Sequence, residues 1–92
     1  MGHLAKEKTK LLNRLKRLRG QIDAIERAVE ADVECVGVLQ QATSCRGALD
    51  GFIAEVIEDH IREHVIDPSK SRNDPHSQAA DDLIDIVHAY LT

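Results

Sequence analysis

Apolar residues in this chain recur with helical rather than strand periodicity. Leu11, Leu15, Leu18, Ile22, Ile25 and Val29 follow one another at spacings of four and three, one buried stripe along an amphipathic helix of about five turns. Gly20 lies inside the stripe and costs about 1 kcal/mol relative to alanine, too little to end so long a pattern. The pattern weakens at Glu30-Ala31, and Asp32 reads as the N-cap of a second helix. From Val33 to Val65 no proline intervenes, and two stripes run side by side. Val38, Ala42, Cys45, Leu49, Phe52 and Val56 form the first; Ile53, Ile57, Ile61 and Val65 form the second. Two stripes predict a helix covered on more than one side, as in a bundle or an oligomer. Pro68 and the polar run from Asp67 to Asp74 mark a connection, and Asp74-Pro75 reads as an N-cap followed by proline at the first helical position. Ala79, Ala80, Leu83, Ile84, Val87, Tyr90 and Leu91 complete a short third helix. Strand-like alternation and internal repeats are absent. The expectation is a single all-α domain over residues 1–92, a three-helix protomer.

Composition sharpens that picture. With 92 residues, no Trp, and Phe52 and Tyr90 as the only aromatic side chains of their kinds, the core must be aliphatic and small, and association with further copies is the expected remedy. No run approaches the roughly 18 apolar residues of a membrane span, and the charged start, Lys6 to Lys10, lacks the apolar stretch of a signal peptide. Cys35 and Cys45 therefore read as cytoplasmic thiols rather than a disulfide framework. The formal net charge of −4 hides a division: residues 1–20 carry seven Lys/Arg against Glu7, a net of +6, whereas residues 21–92 carry a net of −10. Such a basic first helix on an acidic body reads either as a segment that meets an anion or as a solvated helix face, and four copies in a tetramer would strengthen the nucleic-acid reading.

The chemistry-bearing residues are histidines and a cysteine. His60 and His64 stand at i and i+4, so they share a helix face and can bind one ion together. Cys35 begins the same predicted helix, 25 residues from His60, or roughly 37 Å along a continuous helix. One chain cannot bring them to one ion. Two copies of this helix, antiparallel about a two-fold axis near Ala48, would set each Cys35 beside the partner's His60 and His64, and the small residues of Gly47-Ala48-Leu49-Asp50-Gly51 permit that approach. His3 could reach such a site from the N-terminus. Three nitrogens and one thiolate suit Ni(II), Co(II), Zn(II) or Cu(II), whereas Cu(I) would want a second thiolate. His76 and His88 show no evident partners and read as surface residues.

In these features the chain resembles the CsoR/RcnR family of small all-helical metal-sensing repressors over nearly its full length. Arg17-Leu18-Arg19-Gly20-Gln21, Cys35 with Leu39-Gln40-Gln41, Arg46-Gly47-Ala48, Glu55, and His60 through His64 carry the resemblance in order and spacing. It implies a dimer of dimers that binds operator DNA and releases it when an inducer occupies a site between subunits. His3, Cys35, His60 and His64 match the ligand pattern of the family's nickel/cobalt-sensing, RcnR/DmeR-like branch. The copper branch has a second cysteine where this chain has His64; the formaldehyde branch lacks that histidine and carries proline where this chain has Gly2. Cys45, Thr43-Ser44 and Asp50 depart from the common family pattern.

The expectation is a cytoplasmic transcriptional repressor, not an enzyme, with Ni(II) or Co(II) as inducer and Zn(II) able to bind in vitro. Lys10, Arg14 and Arg17, on one helix face at spacings of four and three, would contact double-stranded operator DNA with Arg46 contributing, mainly through phosphates. The alternative keeps the repressor and makes formaldehyde the inducer, with Cys35 as nucleophile and the N-terminal amine as crosslinking partner. A metal buffer without DNA binding is disfavoured by the basic first helix.

Overall fold

A computed structural model describes residues 7–92. Its three helices are α1 (Lys8–Glu30), α2 (Cys35–His64) and α3 (Pro75–Leu91), the all-α protomer that the periodicity predicts. α1 packs against α2, and α2 against α3.

The α1–α2 turn differs from the expectation. Asp32 does not cap α2; Glu34 takes that position, without a side-chain capping bond. Asp32 instead closes α1, in the left-handed region with φ of 56°. Its N–H donates to the Val29 carbonyl at 3.2 Å, and the Val33 N–H donates to the Ala28 carbonyl at 3.0 Å. This pair of bonds is a Schellman closure, which requires a left-handed residue after the helix and accepts Asp less readily than Gly or Asn. A short polar residue before a helical run satisfies either reading in sequence; only the backbone bonds separate them.

At the other connection the sequence reading holds. The Asp74 carboxylate accepts from the His76 and Ser77 N–H groups at 3.1 and 3.3 Å, with Pro75 opening α3. Upstream, the Asp67 carboxylate accepts from both the N–H and the hydroxyl of Ser69, and these bonds hold its carboxyl below the usual aspartate range.

Packing is concentrated at one corner. Ile61 of α2 with Ala80 and Ile84 of α3 form a buried cluster, covered by Ile57 and Ile66. Along α1 only Leu11, Leu18 and Ala28 are buried. The molecule measures 56 × 26 × 13 Å, and its least dimension is that of a single helix with side chains. A radius of gyration of 17.4 Å compares with about 12 Å for a compact chain of this length. So thin a molecule leaves many apolar residues uncovered: Val36 and Leu39 are 62% and 60% exposed, and Tyr90 is 85% exposed. Among the described residues no helix is long and apolar enough to cross a membrane.

Candidate functional site

The two candidate ligand histidines occupy the last turns of α2. Their i, i+4 spacing stacks the rings of His60 and His64 with centroids 4.9 Å apart and planes tilted by 43°, and both residues are exposed. Two imidazoles so placed can offer nitrogens to one ion without moving the backbone. Cys35 is the first residue of the same helix, exposed and not part of a disulfide. One continuous helix therefore keeps the thiol and the imidazoles at its opposite ends. Among the described residues no group of three or more His, Cys, Asp or Glu side chains is placed to hold an ion within one chain. His3 lies outside the described residues.

Carboxylates surround the histidine end. Glu58 takes the Arg62 Nε at 2.8 Å on one oxygen and the His88 Nε2 at 2.6 Å on the other, and Arg62, then His88, draw its carboxyl below the usual glutamate range. This corrects the reading of His88 as an unpartnered surface residue: it is half-buried and ties α3 to α2. His76 is also engaged, its ring Nε2 lying 3.1 Å from the Val65 carbonyl oxygen. Neither contact has a signal in the local sequence, because the partners lie 30 and 11 residues away. Asp59 differs. Burial, with Glu7, Glu55 and Glu58 nearby, pushes its carboxyl up, and its Oδ2 is buried without a hydrogen bond.

The cations expected at DNA fall into unequal surroundings. Lys10 donates to Glu55 Oε2 at 3.2 Å and Arg14 to Glu55 Oε1 at 3.5 Å. The hydrogen bond and charge of Glu55 hold the Lys10 ammonium above the ordinary lysine range. Arg14 and Arg17 border a cleft of about 100 Å³ with Gln21 and Ala48. Arg46 stands exposed on α2 and does not line that cleft. The structure thus groups Lys10, Arg14 and Arg17 along the α1–α2 seam and does not bring Arg46 into the group. A larger cleft of about 530 Å³ lies between α2, its following connection and α3. It mixes Arg62, Lys70 and Arg72 with Asp67, Asp81 and Asp85 and so selects no sign of charge. Cys45 is half-buried on α2, and neighbouring Thr43 bonds its own helix through the Leu39 carbonyl at 2.8 Å.

Fold and site together define a thin all-helical protein with a basic seam and a thiol and histidine pair split between the ends of one helix. The family described as metal-sensitive transcriptional repressor matches residues 7–89, and the chain belongs to that family, whose members are repressors and not enzymes. An uncharacterized protein in the bioA 5′ region of Serratia marcescens is 37% identical over 99% of both chains. The transcriptional repressor RcnR of Salmonella paratyphi B is 31% identical, again over 99% of both. Among solved structures, a variant of the formaldehyde-responsive regulator FrmR from Salmonella enterica serovar Typhimurium aligns with a TM-score of 0.65 and 29% identity. That alignment covers 95% of this chain and 96% of that one.

Proposed function

We propose that this chain is a cytoplasmic repressor that binds operator DNA as a dimer of dimers without metal and releases it when Ni(II) or Co(II) binds. In this reading the partner's Cys35 completes the pair formed by His60 and His64, with His3 as a further ligand. Zn(II), content with four ligands, binds in vitro with less need of His3. The observation that carries the reading is the split donor set: an exposed thiol at one end of a 30-residue helix and two exposed imidazoles at the other. Antiparallel pairing of two such helices supplies what one chain lacks. The membership in a metal-sensitive family and the RcnR relative support the metal class.

Formaldehyde is the second reading, favoured by the FrmR neighbour and by the exposure of Cys35. Operator fragments selected by the metal-free protein and then titrated separately with Ni(II), Co(II), Zn(II), Cu(I) and formaldehyde decide between them. Release by Ni(II) or Co(II) at stoichiometric metal is expected. Release by formaldehyde alone, with a covalent bridge between Cys35 and the N-terminal amine in the mass spectrum, establishes the other inducer. The two-chain geometry is tested by mixing Cys35→Ala with His64→Ala chains. Each mixed dimer keeps one intact site, so near-wild-type affinity at half the stoichiometry is expected of the purified mixed dimer, and no recovery overturns the pairing.

A further inference from the structure

The seam between α1 and α2 contains an acid where a DNA-facing surface would be expected to hold none. Glu55 projects from α2 with its side chain 15% exposed, and its two carboxylate oxygens take two cations of α1, Lys10 on one and Arg14 on the other. Its hold on Arg14 is built into the helix: Gly51, one turn earlier, is buried, and a Cβ there would stand 3.2 Å from Arg14 Nη1. The absent side chain leaves room for the guanidinium to lie across α2 toward Glu55. Lys10 remains about half exposed and Arg14 about one-third, so both can be approached from solvent. Arg17, on the same face, has no ion pair among the described residues.

We propose that Glu55 is a specificity-determining residue of the DNA face, an internal carboxylate that competes with phosphate for Lys10 and Arg14. The proposal rests on the DNA-binding reading given above. A phosphate drawn to these cations either displaces a carboxylate that is mostly out of water or sits beside it with like charge, and both outcomes weaken binding. Duplex of any sequence meets this opposition, because every duplex presents the same phosphates. A true operator offsets it with base-edge and shape contacts that random sequence lacks. Glu55 therefore depresses non-specific affinity more than it limits specific affinity, without touching the DNA. Arg17, with no carboxylate partner among the described residues, is left as a cation of that face that phosphate meets without this competition.

The test is the binding of metal-free protein to fluorescently labelled duplex of random sequence, followed by anisotropy over a series of salt concentrations. Glu55→Gln is expected to bind roughly tenfold more tightly at low salt, with the slope of log K against log salt steeper by about 1 for each protomer in contact. Asp82→Asn, the same charge change at an exposed site on α3, should give less than a third of that gain. In a Lys10→Ala/Arg14→Ala background, adding Glu55→Gln should change little. Should Glu55→Gln fail to fold by circular dichroism, Glu55→Asp, which withdraws the carboxylate by one methylene, should give a smaller gain of the same sign. Unchanged or weaker binding by the folded Glu55 variant overturns the proposal, as does an equal gain from Asp82→Asn. Absence of salt-dependent binding by wild type and variants alike overturns the DNA-binding reading itself, and the proposal with it.

Discussion

The two halves of α2 share one helix and live in different surroundings. In residues 51–64 Gly51, Ala54 and Ile61 are buried, and Glu58 is tied to α3. In residues 35–50 no residue is buried, although Val36, Val38, Leu39 and Leu49 are there. The apolar pattern is as strong in the second set as in the first, so the difference lies in what the protomer supplies to cover it. α1 and α3 both press on the C-terminal half, whereas the Cys35 half is covered on one side only. Exposed apolar residues at this density are a mark of a surface meant for another protein. The half that begins at Cys35 is thus the half that a single chain leaves unfinished.

That contrast can be broken most severely at Leu39. Leu39→Glu places a charge in the middle of the uncovered stripe, and the expected outcome is loss of assembly in analytical ultracentrifugation with α-helical content largely kept at high protein concentration. An unchanged mass would mean that this face contacts nothing. Next in size, Ile61→Ala empties the one well-packed corner and should cost about 2–5 kcal/mol, read as a fall in Tm of about 10 °C or more; a loss below about 1 kcal/mol would show that the corner is no core.

Acid titration gives a smaller effect at the same corner. Glu58 has its carboxyl drawn below the ordinary range by Arg62 and His88, so it contributes stability above its unfolded pKa, about 4.3. That contribution is lost as pH falls through the lower, folded value. Glu58→Gln should flatten the fall of Tm below about pH 4.5, and an unaltered acid limb would deny the clasp. The smallest effect is expected at Asp32. Asp32→Gly removes the strain of a left-handed Asp in the Schellman closure and should raise stability by about 0.5 kcal/mol; a loss would show that the side chain does more than fill the position.

How much of this was legible in sequence depended on how local the cause was. The three helices, the Asp74-Pro75 start of α3 and the i, i+4 meeting of His60 with His64 all follow from spacings of a few residues, and the structure has them. The impossibility of a one-chain ion site followed from helix rise alone. Asp32 was misread because N-caps and left-handed C-terminal residues draw on the same short polar side chains. The partners of His88 and Lys10 lie 30 and 45 residues away, beyond any periodic signal. Glu55 carries part of the family resemblance, yet its pairing with Arg14, beside the open space at Gly51, is a feature of packing that residue type alone does not announce.

A protomer only 13 Å thick also bears on gene dosage. With so little interior of its own, the chain draws its folding free energy from contact with its copies under the proposed assembly, and mass action then sets how much of it is folded. Each tenfold dilution of a folded dimer in equilibrium with unfolded chains removes about 1.4 kcal/mol from the balance. A cell that makes few copies would hold a less durable regulator as well as a scarcer one, and newly made chains at low abundance would be the first to reach the proteases.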